Sequence, residues 1–243
     1  MKKSYEKIRE IDISFVVPVL YYDEVRLNML LLSIRSLGLR YEILIVNSNK
    51  DPVRDTITTE LNVRLIESPP LGIYDAYNRG AKLAKGDWIM FFGYDDLVLP
   101  CAGRILSNLI ESGNVNGDVH VFNVLRGSKT YKPINSKYGN IFRSWCHQGV
   151  VYHRSIFDKY QYNVKYKIQA DHLLNIHLVN DDMLTIKYSK DTISYFDDGG
   201  ISQSSHDELF FRDFPLILAS TYGRFFSLAA YFRRSYIRQF TFK

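Results

Sequence analysis

The sequence predicts an α/β fold: a Rossmann-like, mostly parallel sheet flanked by helices, with a C-terminal helical extension. Three observations lead there. Four continuous apolar runs, at Ile13–Val17, Glu42–Val46, Val63–Ile66 and Trp88–Phe92, read as strands buried on both faces. Helical spacing appears between them. Several runs end directly in polar clusters, where ligands of open α/β sheets bind.

In order along the chain, Ile13–Val17 is apolar and β-branched and is cut by Pro18. Leu27, Leu30, Leu31, Ile34 and Leu37 recur at helical spacing, and Gly38 closes that segment. Glu42–Val46 runs into the polar stretch 47–51, and Val63–Ile66 is followed by Pro69 and Pro70. Residues 73–85 read as a helix with Gly86 and Asp87 as its exit turn, and Trp88–Phe92 leads into Gly93-Tyr94-Asp95-Asp96. Beyond that point the pattern is less regular. Residues 102–112 and 168–178 read as helices, 119–122 and 150–152 as strands, and 180–194 as one or two strands. Residues 1–212 form one domain in this reading, and 213–243 the extension.

The 243 residues carry a formal charge of +5, with 46% apolar and 23% charged side chains. That balance excludes a disordered chain and suits a globular one. Two distant cysteines, Cys101 and Cys146, exclude a disulfide framework. No apolar stretch is long enough to span a bilayer, and the charged N-terminus does not read as a secretory signal. A cytoplasmic protein is expected.

The charge is not spread evenly. Residues 222–243 hold five basic side chains, no acid and eight of the 35 aromatics, so the rest of the chain is formally neutral. This argues against a nucleic-acid groove across the fold. On a helical wheel Tyr222, Phe225, Phe226, Ala229, Phe232, Tyr236 and Phe240 share one face, and Arg224, Arg234 and Arg238 share another. Such a helix suits peripheral contact with an anionic membrane, on the inner face of the plasma membrane, or packing on protein.

Three polar strand ends could carry chemistry. Asp95 and Asp96, directly after a buried strand, offer hard oxygen ligands to a cation, or alternatively cap the next helix. Asp75, Asn78 and Arg79 lie at i, i+3 and i+4 and share one helix face, as a ligand-binding set or a solvated face with a local ion pair. His172 and His177 are five apart and make a poor zinc pair.

Gly72-Ile-Tyr-Asp-Ala-Tyr-Asn-Arg-Gly80, then residues 84–96, His147-Gln-Gly149 and Gly199-Gly-Ile-Ser202 together resemble the family 2 glycosyltransferases of the GT-A fold. The similarity runs from about Ile13 to Ser202 and is closest to bacterial enzymes of surface-polysaccharide and O-antigen assembly. The resemblance implies a metal-dependent, inverting, hexosyltransferase-like transfer from a nucleotide sugar, UDP before GDP, with Mn²⁺ or Mg²⁺ as cofactor. A saccharide or lipid-linked saccharide would accept the sugar. The family's Asp-x-Asp motif falls at Gly93-Tyr94-Asp95, with Asp96 next, so glycine replaces the first acid. Asp95 and Asp96 are the metal candidates. Pro18, Val19, Asn47, Asp75, Asn78, Tyr94 and Asp95 fall where the family binds the nucleotide sugar. Asn47 stands near the family's base-contacting acid, and its amide can still donate and accept. Asp171 is the candidate base, with His147 as runner-up or as an acceptor or phosphate contact. Residues 197–202 resemble a loop that closes on the diphosphate, or form an ordinary turn.

A nicotinamide oxidoreductase would need a G-x-G-x-x-G after the first strand; Pro18–Asp23 holds no glycine. No glycine-rich basic loop of a sugar nucleotidyltransferase is present near that strand. A catalytically inactive nucleotide-sugar-binding homologue is the remaining rival, and the survival of Asp95, Asp96 and Asp171 favours the enzyme.

Overall fold

The computed structural model describes residues 11–49, 62–112, 117–196 and 207–226. Its strands are β1 (Ile13–Val19), β2 (Tyr41–Asn47), β3 (Val63–Glu67), β4 (Trp88–Phe91), β5 (Leu97–Val98), β6 (Asp118–Arg126), β7 (Lys129–Tyr131), β8 (Val150–His153) and β9 (Thr185–Phe196). The helices are α1 (Glu24–Arg35), α2 (Ile73–Leu83), α3 (Ala102–Glu111), α4 (Gly139–Phe142), α5 (Ile156–Lys159), α6 (Ala170–Leu178) and α7 (Glu208–Tyr222), with a 3₁₀ turn at His147–Gly149.

The strands form one sheet in the order β3-β2-β1-β4-β8-β6-β9-β5, with β7 paired to β6. From β3 to β4 every pairing is parallel. Past β4 the sheet is mixed: β8 runs antiparallel to both β4 and β6, while β6 and β9 are parallel. The expectation of a mostly parallel sheet thus holds for the first half only. A doubly buried apolar run reads the same in either direction, so hydrophobic pattern does not encode strand polarity.

Strand β1 shows why the runs are continuous. Ile13, Phe15 and Val17 pack on α1 and α3 on one face, and Val16 packs toward α2, α6 and α7 on the other. Asp23 starts α1 by accepting from the backbone N–H of Arg26 at 3.0 Å. The chain leaves α2 through Gly86, where a Cβ would stand 2.7 Å from the backbone of Ile13 and Ser14. Gly86→Ala is therefore expected to destabilise the protein by about 1–3 kcal/mol through overpacking. The check is a lower urea midpoint at unchanged slope.

Helix α7 crosses the boundary expected at residue 212. Phe210, Phe214 and Leu218, at successive i+4 positions, are buried in the body's core. Asp207 caps α7 through Phe210 N–H and also accepts from the N–H groups of Ile168 and Gln169, just before α6. The first part of the expected extension thus packs as part of the body. Tyr222 and Phe226 pack on Tyr138. The remaining residues of the expected basic, aromatic helix lie outside the described residues, as do residues 197–202. Among the described residues no helix is long and apolar enough to cross a membrane.

Candidate active site

Strands β1 and β2 end side by side, with Pro18 opposite Val46 and Val19 opposite Asn47. Pro18 is half-buried and Val19 buried; the Val19 carbonyl accepts from Ser48 N–H at 2.7 Å. Asn47 is only 1% exposed. Its Oδ1 accepts from Asn49 N–H at 3.1 Å, and its Nδ2 lies 3.3 Å from both carboxylate oxygens of Glu67. The side chain expected to read a base is thus turned into the protein, where it shapes the turn. Negative charge at this corner is supplied by exposed Glu67 at the end of β3. A lone glutamate closing a short strand gave no sequence signal.

The turn after β4 brings two carboxylates together. A Cβ on Gly93 would lie 2.8 Å from Asp95 Oδ1 and 3.2 Å from Asp96 Oδ2. This explains the glycine at the first position of the motif: the two acids already fill the space a side chain would need. Asp96 is buried, and its Oδ2 accepts from Gly93 N–H at 2.6 Å and Gln148 Nε2 at 2.9 Å. Burial pushes the Asp96 pKa up to about 7, against the pull of His147, Gln148 and Gly93, and nearby Asp95 raises it further. Asp95 and Tyr94 are half-buried beside it. Among the described residues no group of three or more His, Cys, Asp or Glu could hold a metal. Two converging carboxylates fit a hard cation that completes its shell with substrate phosphates and water.

Asp171 opens α6, and its side chain is 15% exposed. Its Oδ1 faces the Tyr74 hydroxyl at 3.0 Å and accepts from His172 N–H at 2.8 Å. Its Oδ2 lies 3.8 Å from Nδ1 of His147, whose side chain is 21% exposed. Nε2 of His147 is 3.2 Å from the Tyr77 hydroxyl. Burial raises the Tyr77 pKa well above the ordinary range, and the charges of Asp96, Asp171 and Asp95 raise it further. The two acid-bearing segments, 75 residues apart in sequence, are linked by the 3₁₀ turn, where Gln148 donates to Asp96 and His147 faces Asp171.

The polar face of α2 turns out differently. Asp75 pairs with Arg79 at 2.6 Å, the local ion pair weighed from the sequence. Asn78 uses both ends of its amide on Tyr162, accepting from its N–H and donating to its carbonyl, each at 2.9 Å. This fixes the α5–α6 connection against α2. Asn78→Ala would leave both backbone groups without that partner and is expected to cost about 1–3 kcal/mol. A denaturant titration checks the loss, and nucleotide binding measured alongside is expected to stay near wild type. The residues of α2 that reach Asp171 and His147 are Tyr74 and Tyr77, on its buried face.

The profile of glycosyl transferase family 2 matches residues 14–179, about two thirds of the chain. The chain belongs to this family. A "PGL/p-HBAD biosynthesis glycosyltransferase" of Mycobacterium bovis is 29% identical over 155 residues, covering 60% of this chain and 59% of the relative. The same description and figures apply to a Mycobacterium tuberculosis relative. The chain thus spans about three fifths of the length of these curated relatives. Crystal structures of S. aureus TarS 1–349 share the fold of this family 2 chain. The complex with UDP superposes with TM-score 0.67 at 16% identity, covering 86% of this chain and 65% of TarS 1–349. The complex with UDP-GlcNAc gives TM-score 0.64 at 17% identity, covering 86% and 66%. The GT-A fold is thereby established for the chain.

Gln148 belongs to the site although only its histidine neighbour was singled out from the sequence. It is 2% exposed, donates to Asp96 and accepts from the Cys146 thiol. The His-Gln-Gly motif was its sole sequence signal.

Proposed function

We propose that this family 2 domain transfers a sugar from a UDP-sugar to a hydroxyl of a saccharide acceptor by a single inverting displacement. The observation that carries this reading is the 3₁₀ turn at His147–Gly149, where Gln148 donates to Asp96 and its neighbour His147 faces Asp171. The acceptor O–H bond breaks as its oxygen attacks the anomeric carbon. The proton passes to Asp171, and the bond to the diphosphate breaks with its electron pair leaving on the diphosphate oxygen. Asp95 and Asp96 would hold Mn²⁺ or Mg²⁺, whose chemistry there is to offset charge on the departing diphosphate. Tyr94, Pro18 and Val19 border the donor, with Glu67 and the Asn47 turn at the base end.

The choice of UDP is supported by the shared fold with TarS, whose structures are described as complexes with UDP and UDP-GlcNAc. A lipid-linked acceptor and a place in surface-polysaccharide assembly are supported by the sequence resemblance and by the relatives named for PGL/p-HBAD biosynthesis. Peripheral contact with the inner face of the plasma membrane, through residues 222–243, rests on their basic and aromatic composition.

A thermal-shift screen of UDP, GDP and their sugars, with and without Mn²⁺, tests the donor assignment, because a ligand of the native state raises its stability by mass action. Stabilisation by UDP that requires Mn²⁺ is expected. Stabilisation by GDP alone would overturn the choice of nucleotide, and stabilisation independent of the cation would remove the metal from the reading.

A further inference from the structure

We propose that Tyr77 is a positioning residue that sets the tautomer of His147. Its hydroxyl donates to Nε2, so the ring proton sits on Nδ1 and faces Oδ2 of Asp171, and the acceptor hydroxyl is held between those two atoms. This rests on the reading of Asp171 as the base.

The geometry leaves each atom one role. The Tyr77 hydroxyl carries a single proton, and its one hydrogen-bond partner among the described residues is His147 Nε2 at 3.2 Å. Burial and the carboxylates around it keep that hydroxyl protonated, so it remains a donor. A nitrogen that accepts a hydrogen bond in a neutral imidazole obliges the other nitrogen to carry the proton. That other nitrogen, Nδ1, lies 3.8 Å from Asp171 Oδ2. A lone pair there would face a carboxylate oxygen and be repelled; an N–H is attracted.

On the carboxylate, Oδ1 already accepts from the His172 N–H at 2.8 Å and stands 3.0 Å from the Tyr74 hydroxyl, which also reaches the Ile168 carbonyl at 2.6 Å. Oδ2 is therefore the oxygen presented to a substrate. A span of 3.8 Å is too long for a direct hydrogen bond. An oxygen atom roughly 2.8 Å from each end bridges it. A hydroxyl in that place accepts from Nδ1–H and donates to Oδ2. During transfer its proton passes to Oδ2, while the proton on Nδ1 stays with His147. Tyr77 on α2 thus orients the imidazole, while Tyr74, one helical turn before it, donates to the Ile168 carbonyl at 2.6 Å and stands 3.0 Å from the carboxylate. This gives a reason for hydroxyls on a buried helix face whose rings alone would satisfy the core, since Tyr77 packs on Phe91 at 4.8 Å and Tyr162 at 5.7 Å between ring centroids.

The test reads the tautomer directly. The full chain is labelled with ¹⁵N-histidine and its ring nitrogens are recorded by long-range ¹H–¹⁵N correlation at mildly alkaline pH, without nucleotide or metal. The His147 signals are assigned by their loss in His147→Asn. The wild type is expected in the Nδ1–H form, and Tyr77→Phe, which keeps the ring packing, is expected to shift toward the Nε2–H form that free imidazole favours in water. A wild-type ring in the Nε2–H form or doubly protonated overturns the proposal, and so does a Tyr77→Phe spectrum identical to wild type. If the variant does not fold, the wild-type tautomer alone decides. The spectrum needs no substrate, so failure of the glycosyl-transfer reading would leave it standing. Conversely, a large loss of turnover in Asp171→Asn would survive a wrong tautomer.

Discussion

Asp171→Asn is expected to lower turnover by roughly 10²–10⁴, the usual worth of a positioned general base, while donor affinity stays near wild type. The substitution is close to isosteric. Asparagine Oδ1 can still accept from the His172 N–H, the backbone donor on Asp171 Oδ1. What disappears is an oxygen able to take a proton at the position that faces His147. The loss should therefore appear in kcat, with little change in donor KM. Donor affinity that falls as steeply as turnover would make Asp171 a binding or structural residue instead.

Asp95→Asn and Asp96→Asn are each expected to remove most activity and leave the fold intact. In Asp96→Asn the side-chain oxygen can still accept from Gly93 and Gln148, so the turn after β4 keeps its hydrogen bonds. What is lost is a negative charge that the site needs for a cation. The pH dependence of stability gives an independent check. The folded pKa of Asp96 is about 7 against an ordinary 3.8, because burial disfavours its charge. A raised carboxyl pKa means that the folded state keeps a proton that the unfolded chain has already released. Stability from this group is therefore full below about 4 and falls as pH rises toward 7, by about 1.4 kcal/mol per unit. Asp96→Asn should lack that decline. At pH 8 it should melt no lower than wild type in metal-free buffer, although nearly inactive. Wild-type turnover in both variants with Mn²⁺ present would remove the metal assignment, and a steep stability loss in Asp96→Asn would make the residue structural.

Much of this arrangement is legible in the amino-acid sequence. Buried strands announce themselves as continuous apolar runs, and Asp95 and Asp96 stand out because they follow one directly. Asp171 could be placed by its position in a late helix within a resemblance to a known family. Strand direction beyond β4 could not be read, since β8 has the same apolar character in either polarity. The family resemblance places Asn78 at the donor, on one face with Asp75 and Arg79. Its actual partner is the backbone of Tyr162, 84 residues away, and no local pattern encodes that contact. Tyr74 and Tyr77 were passed over for the opposite reason: at i and i+3 on the apolar side of α2 they look like core, and their rings are. Only the hydroxyls, which project to Asp171 and His147, belong to the site. Glu67 had no pattern at all, because its relevance comes from the lateral pairing of β3 with β2.

The central claim is that the Asp95–Asp96 and Asp171–His147 groups form one glycosyl-transfer site. It is tested most directly by following UDP release from a panel of UDP-sugars with Mn²⁺ and a saccharide acceptor, in wild type and Asp171→Asn side by side. Release from at least one donor by wild type, reduced at least a hundredfold in the variant, is the result expected. Tight UDP binding by wild type with no donor consumed, or equal release by both proteins, would contradict it.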